Sequence, residues 1–514
     1  MERRAFLRRA LGAAGAAAAG TAVTGCSEDG GPPPARRTPP GPAAAPPTAT
    51  APADWNALGR GLRGRLIRPG DAAYDEAREL HIPRFDRIRP AGIAYCAGPG
   101  DVAECLAFAA ARRLPVAVRC GGHGYAGWST GTGLVIDVSP MDTVRVEGGG
   151  RDGRAAVGAG TRLIGLYDRL AAEGAAVPAG TCPTVGVAGL TLGGGLGVLS
   201  RAYGLTCDAL ESVEVVTADG RHRVCDARRD PDLFWACRGG GGGNFGVAVG
   251  FTFRTRPATG LTTFSLRWPW SRAAAVIGGW QRWAPAAPEE IWTGLQITTE
   301  PSGGSPAIEV TGVAPGDPDL DGLVAAVGAE PSGRDAQDRS FLEAMKAVGG
   351  CAGRSTTECH ARGDLPGRRP GGRFPRTDYS GKSHVAYRPL SGAAIDTLVA
   401  RFARGNGVGG RSVLMDAMGG AIARTAPGAT AFPHRRALFC VQYLADGDDL
   451  GWLRTTHRAM EPHLGGAAYV NYIDPDLRDW ARAYYGPNRE RLTEVKARYD
   501  PGSLFRFPQA VGAA

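Results

Sequence analysis

A glycine-dense run at residues 180–200, GTCPTVGVAGLTLGGGLGVLS, limits most strongly what this chain can form. Glycine lets the backbone approach a bulky anionic ligand closely and turn its amides toward it. No Lys-Ser or Lys-Thr follows as in a phosphate loop, and GGGLG does not fit the dinucleotide-binding pattern. Because the chain holds 78 glycines, a composition rich in Gly, Ala, Arg and Pro is the alternative source of the run. If the glycine run binds a ligand, it predicts one wall of a cofactor site. The glycines of this wall are Gly180, Gly186, Gly189, Gly193, Gly194, Gly195 and Gly197.

The N-terminus has the pattern of an export leader. Residues 1–26 join the paired arginines Arg3 and Arg4 to a small-residue apolar run that ends at Cys26, as in a twin-arginine signal with a lipoprotein cleavage box. Residues 27–53, rich in Pro, Ala, Gly and Thr, predict a solvated tether. We therefore expect export, with a lipid on Cys26 holding the chain to the outer face of the cytoplasmic membrane. A disordered or helical N-terminus with an incidental cysteine is the alternative.

Chain length, net charge and cysteine spacing bear on the number of domains, on nucleic-acid binding and on metal sites. The 514 residues exceed the roughly 100 to 200 residues of one domain, which predicts two lobes. The net charge of +9 is spread along the chain without a basic stripe, which argues against a nucleic-acid partner. The cysteines lack regular metal spacing, so no metal site is predicted. Cys351 and Cys359 are the pair that we expect to form a disulfide.

Residues 84–260 alternate strands, helices and glycine turns, which is an α/β pattern. The turn RCGGHGY exposes His123 among small residues, so a ligand contact is favoured over a packed core histidine. Residues 261–463 predict an antiparallel sheet backed by helices, with strands at 264–268 and 292–298. The predicted helices in the two regions lie at 101–113, capped by Asp101, and at 162–173, 273–283 and 341–348. The predicted strands of the first region lie at 115–118, 134–138, 155–158, 214–220, which ends in an Asp-Gly turn, and 247–255.

Four ordered motifs, RCGGHGY, GTCPTVGVAGLTLGGGLG, RGGGGGNFGV and YVNYIDPDLRDWARAYYGPNRERLTEVKARYDP, resemble the berberine bridge enzyme-like family of FAD-linked oxidases, in the vanillyl-alcohol oxidase class. The resemblance covers nearly everything after Trp55 and is looser over about 261–454. It implies an α+β fold with a two-lobe FAD-binding domain of PCMH type at 54–260. A substrate domain at 261–463, built on an antiparallel sheet backed by helices, and a C-terminal segment at 464–514 that returns to the FAD-binding domain complete this expectation.

The resemblance also implies residue roles. The family bonds its flavin to the histidine of the first motif and the cysteine of the second, which implies bicovalent FAD on His123 and Cys182. A thiolate is a good nucleophile for an electron-poor ring, and a neutral imidazole nitrogen can add to the ring methyl carbon. Val185 lies where the family controls dioxygen access, and its small size favours an oxidase. The other motif residues expected at the FAD are Arg119, Gly121, Gly122, Gly124, Tyr125, Thr184, Asn244, Gly246, Val247 and Asn471.

By the same resemblance, Tyr472 is the catalytic base and Asp416 its acidic partner, while Tyr469 and Gln442 contact the substrate. The alternatives are that Tyr472 only packs on the flavin and that Asp416 is a cap or turn residue. Tyr203, like Tyr125, is a candidate to line the same cavity.

We expect oxidation of an alcohol or sugar hemiacetal to a carbonyl or lactone, with dioxygen reduced to hydrogen peroxide. Tailoring of a secondary metabolite, by alcohol oxidation or oxidative ring closure, is a second possibility, and a non-catalytic flavin- or carbohydrate-binding surface protein a third. The expected partners are a small-molecule substrate, either a sugar or a secondary metabolite, and dioxygen. The substrate itself and the oligomeric state do not follow from the sequence.

Overall fold

A computed structural model describes residues 54–148, 153–299, 305–403, 410–447 and 449–512. The export leader with Cys26 and the tether lie outside these residues. Among the described residues, no helix has both the length and the apolar character needed to span a bilayer.

Two sheets form the first lobe. Strands β1 to β4 make a sheet of order β1-β2-β4-β3, in which β4 runs parallel to β2 and β3. Strands β5, β6, β8, β9 and β10 make an antiparallel sheet of order β5-β6-β10-β8-β9, and β7 pairs with β11. The strands are β1 (Arg65–Ile67), β2 (Gly92–Tyr95), β3 (Val116–Arg119), β4 (Leu134–Asp137), β5 (Val144–Glu147), β6 (Arg154–Gly158), β7 (Ala175–Ala176), β8 (Leu210–Val216), β9 (His222–Cys225), β10 (Val247–Arg254) and β11 (Arg256–Pro257).

Helices cover these sheets through apolar stripes at helical spacing. One example is the face Val102, Cys105, Leu106 and Ala109, which is buried in the core of this lobe. The helices of this part are α1 (Trp55–Gly61), α2 (Tyr74–Ala77), α3 (Pro99–Arg112), α4 (Leu163–Ala172), α5 (Val187–Leu192), α6 (Ser200–Tyr203) and α7 (Pro231–Ala236).

Asp101 does not cap its helix as predicted. Helix α3 already begins at Pro99, and Asp101 is buried in its first turn. Its carboxylate accepts hydrogen bonds from the backbone N–H groups of Arg63, Gly64 and Ala97, at 2.8 to 2.9 Å. Asp101 therefore fastens two neighbouring turns to the helix, because a buried carboxylate needs several donors.

One antiparallel sheet of seven strands dominates the second lobe, in the order β15-β12-β14-β13-β17-β18-β16. The predicted antiparallel sheet backed by helices is confirmed. The strand predicted at 292–298 and the helices predicted at 273–283 and 341–348 have these bounds in the structure. Its elements are β12 (Leu261–Trp268), α8 (Ala273–Trp283), β13 (Trp292–Thr298), β14 (Ala307–Ala314), α9 (Asp321–Val327), β15 (Gly333–Arg339), α10 (Phe341–Val348), β16 (Tyr379–Ala386), α11 (Gly392–Ala403), β17 (Arg411–Ala417), α12 (Ala421–Arg424), β18 (Phe439–Asp446) and α13 (Leu450–Leu464).

The two faces of this sheet differ because side chains alternate along a strand. Leu295 and Ile297 of β13, Met415 of β17 and Val441 of β18 are fully buried in the core shared with helices α8 and α11. The residues between them on the same strands point to the opposite face. That face is turned toward the first lobe.

The chain ends against the first lobe through α14 (Trp480–Tyr485) and α15 (Arg489–Tyr499). The buried ammonium of Lys496 donates to the carbonyl oxygens of Asn244 and Phe505 and to the carboxylate of Asp500, at 2.6 to 2.7 Å. The backbone N–H of Val511 donates to Asn244 Oδ1 at 2.9 Å. The C-terminal segment thereby fixes the loop that holds Asn244.

Arg201 of α6 joins the two lobes. Its guanidinium is 1% exposed and donates to the backbone carbonyls of Ile291 at 2.9 Å, Ala287 at 2.6 Å and Pro285 at 3.2 Å, and also to that of Met418. Desolvation lowers the pKa of Arg201 from its ordinary value, although Glu289 and Glu290 oppose this. One side chain thus satisfies several buried carbonyls of the second lobe.

The predicted Cys351–Cys359 disulfide is confirmed. Cys96, Cys105, Cys120, Cys207, Cys225, Cys237 and Cys440 form no disulfide within the described part of the chain.

Loss of the Arg201 contacts should weaken the fold. We expect Arg201→Met to lower the free energy of unfolding by about 3 kcal/mol or more, because it leaves several buried carbonyls without a donor and a single hydrogen bond from a charged donor contributes roughly 1.5 to 3 kcal/mol. Urea denaturation followed by tryptophan fluorescence measures this change. The control is Arg228→Met, because the Arg228 side chain is exposed. Equal urea midpoints for the two variants would show that the hydrogen bonds of Arg201 contribute nothing to the stability of the fold.

Candidate active site

A cavity of about 1080 Å³ lies between the lobes. The glycine loops of the first lobe form its floor, and the inner face of the seven-stranded sheet forms its roof. Of the predicted site residues, those that line it are Gly121, Gly122, His123, Gly124, Tyr125, Gly180, Cys182, Val185, Gly186, Gly189, Gly197, Asn244, Gly246, Asp416, Gln442, Asn471 and Tyr472.

Two glycine motifs cross in the floor with their backbones in contact. A Cβ on Gly121 would lie 2.3 Å from the Gly186 nitrogen, and a Cβ on Gly186 would lie 2.1 Å from Cys120 Sγ. No side chain fits at either position, since real Cβ atoms do not approach other atoms so closely. This contact brings the first motif, with His123, beside the second, with Cys182.

The third glycine motif forms a cradle at another part of the cavity. Gly241 and Gly243 have φ values of +87° and +72°, in the left-handed region that glycine favours. Tyr485 donates a hydrogen bond to the Gly240 carbonyl at 2.9 Å, and Lys496 holds the Asn244 carbonyl. A turn of this kind, with alternating backbone conformations, presents main-chain N–H groups to an anionic ligand.

Thr184 connects the two predicted attachment residues. Its hydroxyl lies 3.0 Å from His123 Nε2 and 3.7 Å from Cys182 Sγ. Burial, followed by the charges of His81 and Arg162, keeps the pKa of His123 well below its ordinary value. The imidazole of His123 is therefore neutral and retains a nucleophilic nitrogen.

His81, which no sequence motif marked, stacks on His123. Their ring centroids are 3.9 Å apart and the planes differ by 16°. His81 Nε2 lies 3.2 Å from the hydroxyl oxygen of Thr377, and its backbone N–H donates to the carbonyl of Gly122 at 3.1 Å. Only the tertiary fold shows this pair, because residues 80–82 carry no glycine or repeated pattern that points to a ligand.

Three tyrosines and a glutamine form a cluster in the cavity. The rings of Tyr125 and Tyr472 are parallel, with centroids 5.7 Å apart, and the ring of Tyr379 meets Tyr125 edge-on at 5.3 Å. The Gln442 amide donates to the Tyr125 hydroxyl. Burial, with Tyr379 and Tyr472 adding to it, raises the pKa of Tyr125 well above its ordinary value, so this phenol remains neutral.

A buried ion pair anchors the turn that carries Tyr472. Lys382 of β16 donates to both carboxylate oxygens of Asp474 at 2.7 and 2.9 Å, and to Asp476 at 2.9 Å. The hydroxyl of Tyr484 accepts a hydrogen bond from the Asp474 backbone N–H at 2.8 Å. Tyr472 is thus attached to a rigid support two residues away.

The roof is polar where the sheet faces the cavity. Strand register places Glu309, Gln296, Leu414 and Gln442 in one row across four adjacent strands. The polar residues of these strands that line the cavity are Gln296, Thr298, Glu309, Thr311, Ser412, Asp416, Gln442 and Asp446. Hydrogen-bonding groups therefore cover much of the wall opposite the glycine loops.

Several predicted site residues lie outside the cavity lining: Arg119, Thr184, Gly193, Gly194, Gly195, Tyr203, Val247 and Tyr469. Arg119 is buried in an ion pair with Asp137. Tyr203 lies under the guanidinium of Arg256, 5.5 Å from its ring centroid.

Tyr469, predicted to contact the substrate, is buried and is not among the residues that line the cavity. Its hydroxyl accepts hydrogen bonds from the Gly195 backbone at 2.9 Å and from Asn471 Nδ2 at 2.8 Å. Gly193 packs against the same asparagine, where a Cβ would lie 2.0 Å from Asn471 Oδ1. These residues connect the glycine run to the C-terminal turn and support the cavity from behind.

The lining fits a flavin dinucleotide. The glycine cradle suits a diphosphate, and the Ser129 hydroxyl at the cavity is buried without a hydrogen-bond partner among the described residues. A buried hydroxyl of this kind normally has a partner, which a polar ligand would supply. His123 and Cys182 lie on one wall of the same space.

Two family models match the chain. The model described as an FAD binding domain matches residues 90–226, and the model described as berberine and berberine like matches residues 468–512. The two matched ranges are those that supply much of the cavity floor and the turn with Tyr472.

Proteins that match this chain over most of their length belong to the same family of FAD-linked enzymes. The FAD-linked oxidoreductase YgaK of Bacillus subtilis (strain 168) is 33% identical, covering 88% of this chain and 97% of that protein. Aclacinomycin-N/aclacinomycin-A oxidase of Streptomyces galilaeus is 32% identical, covering 88% of this chain and 90% of that protein. Among solved structures, xylooligosaccharide oxidase from Myceliophthora thermophila C1, in complex with xylobiose, superposes with a TM-score of 0.78 at 26% identity, covering 90% of this chain and all of that chain.

Proposed function

Since the chain belongs to the berberine bridge enzyme-like family of FAD-linked oxidoreductases, we propose that it oxidises a sugar hemiacetal or other alcohol to a lactone or carbonyl and reduces dioxygen to hydrogen peroxide. The observation that supports this proposal is the polar face of the seven-stranded sheet, which forms the roof of the cavity. Its amide, hydroxyl and carboxylate groups face the FAD cavity from four adjacent strands and suit a ligand with several hydroxyl groups. The solved relative that holds xylobiose supports the same class of substrate.

We propose that FAD is attached through both His123 and Cys182. The Thr184 hydroxyl lies 3.0 Å from His123 Nε2, and with the proton on that nitrogen the lone pair for the bond to FAD would be on Nδ1. His123 would hold FAD through a bond from Nδ1 to the ring methyl carbon, with loss of one methyl hydrogen and the Nε2 proton. Cys182 would hold it through a bond from Sγ to a ring carbon, with loss of one ring hydrogen and the thiol proton. In each step two electrons and two protons pass to dioxygen, which gives hydrogen peroxide.

In the proposed reaction FAD supplies the group that accepts a hydride from the substrate carbon. Tyr472 Oη takes the proton of the substrate hydroxyl, supported by its parallel contact with Tyr125 and by the anchored turn behind it. Asp416 and Gln442 lie on the roof of the same cavity, where Asp416 would act as the acidic partner of Tyr472 and Gln442 would contact the substrate. Val185 also lines the cavity, and its small side chain would leave dioxygen a route to the bound flavin.

Tailoring of a secondary metabolite is the second candidate function. The relative that is 32% identical, aclacinomycin-N/aclacinomycin-A oxidase, favours it, and Trp292, Leu414 and Leu444 supply apolar patches on the same roof. Peroxide release measured with a panel of oligosaccharides and a panel of bulky hydroxylated metabolites separates the two candidates. Turnover of the metabolites alone would favour the second.

Export and lipid anchoring remain a proposal that rests on residues 1–26. We expect the chain in the membrane fraction of its native cells, and Cys26→Ser in the soluble fraction, because the lipid would have no attachment point. Fractionation and immunoblotting measure this distribution. A wild-type chain found only in the cytoplasm would contradict both proposals.

Single removal of either attachment residue should leave one bond to FAD. We expect Cys182→Ala and His123→Ala each to keep FAD after denaturation, and the double variant to release it. Intact mass and flavin fluorescence on a denaturing gel measure the attachment. Cys225→Ala is the control, because this buried cysteine lies outside the cavity lining. Release of all FAD from the denatured wild-type protein would refute covalent attachment.

Removal of the proposed base should slow the reductive half-reaction. We expect Tyr472→Phe to reduce the rate of flavin reduction about 100-fold or more, since a positioned general base contributes about 10²- to 10⁴-fold. Anaerobic stopped-flow absorbance measures the rate with a substrate identified in the panels. Tyr203→Phe, outside the cavity lining, is the matched control. An unchanged rate in Tyr472→Phe would show that another group takes the proton.

A further inference from the structure

We propose that His81 is a positioning residue for the bond between His123 and FAD, an inference that rests on the proposed attachment. The imidazole of His81 covers one face of the His123 ring, at a centroid distance of 3.9 Å and nearly parallel. The ring that must attack the flavin is thereby held in one plane. His81 itself supplies no bond to the flavin.

The His81 ring is held from several directions. Its Nε2 meets Thr377 Oγ1 at 3.2 Å, and Tyr379 contacts it edge-on at 6.2 Å. Its backbone N–H donates to the carbonyl of Gly122, the residue next to His123. Main chain and side chain of His81 therefore both act on the loop that carries the attacking residue.

The neighbours of His81 are fastened as well. Arg376 donates from Nε to the Leu80 carbonyl at 2.7 Å and pairs with both carboxylate oxygens of Asp86 at 2.6 Å. Glu79 lies 3.1 Å from the same guanidinium. The segment is thus a rigid platform, so a ring stacked on it loses little further freedom when the bond forms.

Together, the stack and Thr184 define the geometry of attack. Thr184 fixes the rotation of the His123 ring through its contact with Nε2, and His81 fixes the plane of the ring. The lone pair on Nδ1 then points in one direction in that plane. Attack at a methyl carbon is sensitive to such alignment, because a misplaced reacting group loses the benefit of proximity.

The test uses the Cys182→Ala protein, in which His123 carries the remaining bond, and adds His81→Ala or His81→Phe. We expect His81→Ala to lower the rate of covalent attachment about tenfold or more, because the His123 ring loses its alignment. His81→Phe keeps an aromatic ring for stacking and should stay close to the parent. The fraction of chains with covalent FAD is measured by intact mass, after fixed times of incubation with FAD.

His360→Ala is the matched control, because His360 is also a buried histidine but bonds to the Thr356 carbonyl away from His123. Flavin absorbance before denaturation separates loss of FAD binding from loss of the covalent bond.

Full attachment in His81→Ala would overturn the role of His81 and leave the proposed attachment through His123 intact. No covalent FAD in the Cys182→Ala parent would instead refute the His123 bond, and the proposal with it. Failure of both His81 variants to bind FAD at all would make His81 a residue of the fold and overturn its positioning role.

Discussion

The backbone contact between Gly121 and Gly186 is the constraint on which the site depends. At this crossing the two motif loops lie so close that neither position has room for a Cβ. The contact places His123, Thr184 and Cys182 within reach of one another, although the chain separates His123 from the other two by a helix and several strands. Close backbone approach of this kind is a use of glycine that is independent of its positive φ values.

The second lobe must then be held at a fixed distance above this floor. Arg201 does this by donating to carbonyls that belong to the loops before β13 and after β17. Below the roof, the Lys382–Asp474 pair ties β16 to the C-terminal turn. Both contacts are buried, and removal of one partner would leave charge or carbonyl groups without compensation. The cavity is therefore a property of the docked lobes rather than of either lobe alone.

Chemistry is divided between the two walls. The floor carries a neutral histidine, a thiol and glycine loops, which suit a flavin, whereas the roof presents amide, hydroxyl and carboxylate groups. Side chains alternate between the two faces of a sheet along each strand, so Leu295 and Met415 enter the core while Gln296 and Asp416 face the cavity. Specificity can change on the roof without disturbing the residues that hold the cofactor.

The sequence by itself determined many of the elements, because glycine spacing and hydrophobic period are local properties of a chain, and the resemblance of its motifs to a known family implied the α+β class and the flavin. It also identified His123, Cys182, Gln442 and Tyr472 as residues that the fold brings to one cavity. It could not separate glycines that face the ligand from Gly193 and Gly195, which accommodate Asn471 and Thr206. It did not mark His81, and it did not show that Tyr469 lies outside the cavity lining. Only the tertiary structure decided these positions, because they depend on which distant segments pack against each glycine or aromatic ring, and local patterns do not encode that.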